Sequence, residues 1–137
     1  MKQVQLVAPG HINAVWPVVR GLLNTAIINY DDPDYDVEHL KVFLIKEFQV
    51  LFVVIEDNNI IGAFTVDIYN QPNHKIAHTT CMGGKGLFDK DTVKQYEDWC
   101  KGNGITKIRA YAQDAQARLF KMKLGLNVVT HVVEKNL

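Results

Sequence analysis

The apolar positions of this chain change period several times along its length, and each change marks an element. Residues 3–9, QVQLVAP, alternate and stop at Pro9-Gly10, which predicts a short strand and a turn. Ile12, Val15, Trp16, Val19, Leu22, Leu23, Ala26 and Ile27 then recur at helical steps, giving one apolar stripe. Pro17 falls inside that stripe. A proline costs about 3 kcal/mol in a helix interior and little in a first turn, so the regular helix is expected to begin near Trp16-Pro17 or to kink there. NYDDPDYD, residues 29–36, reads as a polar surface loop, with Asp36 placed to cap a second helix marked by Val37, Leu40, Phe43, Leu44 and Phe48.

From residue 50 the period shortens to that of strands. VLFVVIEDNNIIGAFTVDIY, residues 50–69, holds two β-rich runs around Glu56-Asp57-Asn58-Asn59, which predicts an antiparallel hairpin. Its second strand places Gly62, Phe64, Val66 and Ile68 on one face and Ile61, Ala63, Thr65, Asp67 and Tyr69 on the other. KIAHTTCM, residues 75–82, is the next strand, followed by three glycines and a helix capped by Asp89 or Asp91 that carries Val93, Tyr96 and Cys100. Gly102 and Gly104 end that helix. ITKIRAYA, residues 105–112, is a further strand; Asp114 caps a helix with Ala117, Phe120 and Leu124 that stops at Gly125. NVVTHVVE, residues 127–134, is expected to form a last strand. The order is thus β-α-α-β-β-β-α-β-α-β, a single α/β domain over residues 1–137 with no repeat or linker, and its alternating second half predicts a partly parallel sheet.

Composition narrows the partners. Fifteen Lys and Arg balance fifteen Asp and Glu, so no bulk field draws the protein to nucleic acid or to an anionic membrane. No apolar run approaches the roughly 20 residues of a membrane span, and no targeting segment is evident, so a cytoplasmic protein is expected. Cys81 and Cys100 lack paired CxxC spacing and read as small buried groups in a reducing compartment.

Four features bear on chemistry. CMGGKG, residues 81–86, sets glycines ahead of a helix, where unpaired first-turn amides and the helix dipole favour an anion. It is not a nucleotide triphosphate loop, which requires Ser or Thr after the lysine, and a plain flexible connection is the alternative. His74, His78 and Cys81 have metal-like spacing, but strand alternation sends the histidines to one face and Cys81 to the other, so no metal site is expected unless a bulge intervenes. Asp67 and His78 are candidate bases for taking a proton from an amine; a solvated sheet face and a core histidine are their ordinary alternatives. The acidic loop with Tyr30, Asp31, Asp32, Asp34 and Tyr35 is suited to a cationic amine, or is simply a solvated loop.

VWPVVRGLL, VVIEDNNIIGAF and ARLFKMKLGL, together with the element order, resemble the GNAT acyltransferase superfamily, and most closely the short GNAT-like proteins of tailed phages and prophages. The resemblance implies a three-layer fold, a central mixed twisted sheet flanked by helices, which opens as a V between the strands at 75–82 and 105–112. The family's pyrophosphate loop runs Gln or Arg, two residues, Gly, one residue, Gly or Ala, and CMGGKG matches it with Gly84 and Gly86 while Cys81 replaces the first residue. By that likeness Thr79, Thr80, Cys81, Met82 and Gly83 lie along the pantetheine of acetyl-CoA or another acyl-CoA, and Gly84, Lys85 and Gly86 hold the pyrophosphate. A second family element places Asp114 at an Asn position, Leu126 at a Phe position and Lys121 where the family has a Tyr that often protonates the departing thiolate. Asp89 and Asp91 follow the glycine loop closely and would repel a pyrophosphate, with Lys85, Lys90 and Lys94 available to offset them. Two functions follow from the resemblance: an acyl-CoA dependent N-acetyltransferase acting on a small-molecule or peptidic amine in the bacterial host cytoplasm, or a non-catalytic phage protein with a binding or virion-assembly role. A CoA-binding sensor lies between them. A homodimer and a virion partner are both left open.

Overall fold

The structure, a computed structural model, describes residues 1–29 and 33–137, with residue 114 described by its backbone alone. Strand β1 (Lys2–Val7) leads through a 3-10 turn at Pro9–His11 into α1 (Ile12–Ile28) and α2 (Val37–Ile45). The hairpin β2 (Val50–Glu56) and β3 (Asn59–Asn70) follows, then β4 (Lys75–Gly84), α3 (Lys90–Gly102), β5 (Lys107–Ala110) and α4 (Asp114–Leu124). The strands form one sheet in the order β1-β2-β3-β4-β5, antiparallel except for the parallel pair β4 and β5.

Each face of the sheet has its own core. Val7, Leu51, Val53, Ala63 and Cys81 pack against Ile12, Trp16, Val19 and Leu23 of α1 and Leu40 and Leu44 of α2. On the other face Phe52, Phe64, Val66 and Ala77 meet Tyr96, Trp99 and Cys100 of α3. Phe52 and Phe64 stack at 5.0 Å, and Tyr96 and Trp99 close edge-on against Phe52 at 5.3 and 4.8 Å. The two faces expected of the strand at 59–70 are therefore the two core faces. The turn between β2 and β3 puts Asp57 and Asn58 at φ 52° and 64°, the left-handed pair that a two-residue hairpin demands and that Asp and Asn tolerate.

Three expectations change. α1 starts at Ile12 and continues through Pro17, because starting at the proline would leave Ile12 and Trp16 outside the helix, and burying two such side chains at about 1.5–3 kcal/mol each outweighs the proline's cost. The N-cap of α4 is Gln113, whose backbone N–H donates to the Gln116 side-chain oxygen at 3.1 Å, so Asp114 is the first helical residue and not the cap. Residues 125–137 form neither helix nor strand: Val129 and Val133 are 80% and 90% exposed, and the ladder partner that a strand at 127–134 needs is not supplied by the sheet. Strand propensity alone does not make a strand without a neighbour to pack on. Among the described residues no helix is long and apolar enough to cross a membrane. The acidic loop falls partly on residues 30–32, which lie outside the described residues.

Candidate functional site

A polar row crosses three strands. Asp67 on β3 is the register partner of His78 on β4, and His78 is the partner of Arg109 on β5. By strand alternation Asp67 shares the face of Ala63 and Thr65, so the row lies on the face that α1 and α2 cover further along. His78 is 6% exposed, and the ring of Tyr111 meets its imidazole edge-on at 4.4 Å. Arg109 reaches back over β4, its Nη1 donating to the Tyr69 hydroxyl at 3.2 Å. Burial holds the His78 pKa below its ordinary value; the Arg109 charge adds to that, and the Asp67 carboxylate opposes it. The imidazole is thus neutral at pH 7 and able to accept a proton.

A stability consequence follows from that depressed pKa. The unfolded chain takes up a proton on this histidine at the ordinary value of 6.5, before the folded protein does. His78 therefore contributes stability above that pH which is lost as the pH falls through 6.5 toward the folded value. Melting temperatures of the wild type and of His78→Gln, compared between pH 7.5 and 5, are expected to fall more steeply with acid in the wild type. Parallel curves would show that His78 titrates alike in both states.

Two residues beyond His78, β4 bulges. Val66 pairs with Thr79 and Thr65 pairs with Cys81, which leaves Thr80 without an opposite number. The Thr80 hydroxyl donates to Gln49 Oε1 at 2.6 Å and so accepts from the Thr65 hydroxyl at 2.7 Å, while the Thr80 carbonyl accepts from the Tyr35 hydroxyl at 3.3 Å. The bulge resets the alternation and brings Cys81 to the same face as His78, contrary to the simple strand count. It does not make a metal site. The Cys81 thiol is buried, donates to the Leu23 carbonyl at 3.4 Å, and has its pKa pushed up to about 12 by burial. His74 immediately precedes β4, with Nδ1 bonded to the Thr106 hydroxyl at 2.9 Å, and no group of three metal-ligating side chains exists among the described residues.

The pairing of β4 with β5 ends at Thr79 and Ala110, and β4 continues to Gly84 with no strand partner on that side among the described residues. The sheet is thus unpaired where a V-shaped opening was expected. Beside this edge, between the sheet, α3 and α4, is a cavity of about 60 Å³ lined by Thr79, Met82, Thr92, Tyr96, Ile108 and Phe120. The buried Thr92 hydroxyl has no hydrogen-bond partner among the described residues. The Tyr96 hydroxyl lies near Thr79 and Cys100 without a well-formed bond, and burial pushes its pKa up.

The glycine loop divides into two parts. A side chain on Gly83 would collide with the Leu22 carbonyl of α1, and one on Gly84, at φ 94°, with the Ile61 carbonyl of β3, so these glycines permit close packing. The Lys85 amide donates to the Ile61 carbonyl at 2.8 Å. The amides of Gly86, Leu87 and Phe88 and of the first turn of α3 have no partner among the described residues. Asp89, the N-cap of α3, makes no capping bond; its carboxylate pairs with Lys2 at 2.6 Å, and Lys2 also meets Glu56 at 3.2 Å. Lys2 is thus the cation that offsets Asp89, while Lys94 is engaged by Asp98 at 2.7 Å. Lys121 is exposed on α4 beside Arg118 and Val128.

Of the residues singled out from sequence, Asp67 and His78 meet in one row, and Thr79 and Met82 line one cavity, whereas Cys81 and Gly83 turn toward α1. Arg109, Tyr111 and Gln49 were missed. Alternation along 105–112 places Lys107, Arg109 and Tyr111 together on one face, and that was the signal for the first two; Gln49 follows a helix end and carried none.

No protein-family model matches the chain, and no curated protein matches it in sequence. Solved structures do match it. An aminoglycoside acetyltransferase, meta-AAC0020, from an uncultured soil metagenomic sample and in complex with sisomicin, superimposes with a TM-score of 0.69 at 14% identity over 99% of this chain and 97% of its own. A predicted acetyltransferase from Clostridium acetobutylicum, solved with acetyl-CoA, gives 0.65 at 16% identity over 99% and 96%. The aminoglycoside N-acetyltransferase AAC(6')-Iy in complex with CoA gives 0.69 at 12% identity over 100% and 95%. At identities of this order the likeness defines the architecture, and the mixed five-stranded sheet between its helices has the fold of the GNAT acetyltransferases.

Proposed function

We propose that the protein is an acyl-CoA dependent N-acyltransferase acting on a small amine. The observation that carries this reading is the position of the neutral, buried His78, between Asp67 and Arg109 and next to the point where β4 and β5 part. An acyl-CoA supplies an acyl group activated as a thioester and a thiolate able to leave. The residues present fit such a cofactor. The unpaired edge of β4 from Thr80 to Gly84 offers backbone groups to the amides of a pantetheine arm, and the unpartnered Thr92 hydroxyl faces the adjoining cavity with Thr79 and Met82. The unpaired amides from Gly86 into α3 suit a pyrophosphate, with Gly84 and Lys85 shaping the turn, and the first turn of α4 at Asp114 lies at the end of β5.

On the other face His78 takes the proton of the attacking amine, and Asp67 stabilises the imidazolium that results. The bulge at Thr80 holds β4 out of its regular ladder there, and Gln49, Thr65 and Tyr35 fix it by hydrogen bonds. Lys121 replaces the family's phenol and is exposed, so the leaving thiolate is protonated by water in this reading. Incubation with acetyl-CoA and a panel of primary amines is expected to release free CoA thiol in proportion to N-acetylated product; a panel without product contradicts the reading. Its rival is a non-catalytic protein with a binding or virion-assembly role, related to phage GNAT-like chains. The missing phenol favours it.

A further inference from the structure

We propose that Arg109 receives the carboxylate of the acceptor, so that the amine acylated at His78 is that of an α-amino acid; this rests on the acyl-transfer reading above. Arg109 is half-buried on the inner face of β5. Its guanidinium is a cation that carries five donors, of which one is engaged by the Tyr69 hydroxyl. It makes no ion pair with a carboxylate among the described residues, although Asp67 stands two strands away in the same row. A cation withdrawn from water beside a candidate base, with its donors largely unanswered, is arranged for an anion that arrives from outside.

The row also has a direction. By register it runs from Asp67 on β3 through the neutral His78 on β4 to Arg109 on β5, whose guanidinium reaches back over β4 toward Tyr69. A zwitterion complements it with its ammonium toward Asp67 and His78 and its carboxylate toward Arg109. The Arg109 guanidinium, drawn back over β4 by Tyr69, lies near enough for its charge to act on His78, so an amine at His78 and an anion at Arg109 belong to groups separated by only a few bonds. That spacing suits an α-amino acid. Tyr69 and Tyr111 flank the row with aromatic surface available to the amino acid's own side chain. A polycationic sugar finds a positive charge at Arg109 and is disfavoured.

Two measurements separate this proposal from the reading beneath it. With acetyl-CoA as donor, the common α-amino acids are compared with their carboxamides, which keep the amine and lose the charge. The amino acids are expected to have the higher kcat/KM by about tenfold or more. Arg109→Gln is expected to erase that preference mainly through KM, and Arg109→Lys to restore part of it, with melting temperatures confirming that both variants fold. Carboxamides used as well as amino acids by the wild type would overturn the proposal while leaving N-acyl transfer in place. The second measurement needs no turnover: calorimetric titration of N-acetyl amino acids into the wild type and Arg109→Gln. Binding weakened about tenfold by the substitution supports carboxylate recognition even if no amine is acylated, which would sink the acyl-transfer reading alone. Equal binding to both proteins, or none to either, overturns the proposal.

Discussion

Gly83→Ala is expected to cost about 3 kcal/mol or more of stability and to leave little folded protein, the largest effect of any single methyl group in this chain. The reason is the contact between β4 and α1. The added carbon would fall inside the Leu22 carbonyl, a backbone atom that cannot rotate away, and Leu23 of the same helix is fully buried and anchors the segment. Gly21, one residue before Leu22, supplies the control. It lies within α1 with nothing inside 4 Å of an added carbon, so Gly21→Ala should stabilise by up to about 1 kcal/mol through helix propensity. Urea unfolding of the two variants checks the pair. Wild-type stability in Gly83→Ala would mean that α1 does not press on β4 as described.

The largest effect on activity is expected at His78. If its imidazole removes the amine proton, His78→Gln keeps the volume and loses the base, and kcat/KM should fall by about 10² to 10⁴ with the fold retained. Asp67→Asn should cost less, because it removes only the charge that stabilises the imidazolium. The pH profile carries the finer test. In the wild type the acidic limb of kcat/KM is expected at an apparent pKa below 6.5, since burial and Arg109 depress His78. Removing Asp67 deletes the one influence that raises that pKa, so the limb should move to lower pH. Removing the positive charge at Arg109 should move it up. A limb indifferent to both substitutions would assign the titration to another group.

Much of this architecture was legible as pattern. The helical stripe of α1, the Asp36 cap of α2, the hairpin turn at Asp57-Asn58 and the two faces of β3 all follow from local periodicity and turn chemistry, which act within a few residues. What was not legible depends on partners distant in sequence. Whether the helix begins at Pro17 or before it is decided by the burial of Ile12 and Trp16, and whether 127–134 becomes a strand is decided by a neighbouring ladder. The site shows the same division. Asp67 and His78 could be named as candidate bases from their strands, but the bulge at Thr80 is a register event between β3 and β4 that no single strand displays. That bulge, in turn, decides that Cys81 shares the face of His78. The glycines of CMGGKG read as an anion cradle because sequence shows missing side chains and not the reason for them. For Gly83 and Gly84 the reason is the crowding of α1 and β3, and the unpaired amides begin only at Gly86.

The central claim, that an acyl-CoA is held along the free edge of β4 with its pyrophosphate at the start of α3, is tested most directly by amide hydrogen exchange with and without acetyl-CoA. Acetyl-CoA at a hundredfold excess over its Kd should add about 2.7 kcal/mol to global stability. Beyond that uniform gain, the amides of residues 86–92, which have no internal partner or lie in the first turn of α3, are expected to slow most, together with those of 80–84 on the unpaired strand edge. Exchange unchanged at millimolar acetyl-CoA, or slowed at some other face of the protein, would contradict the account.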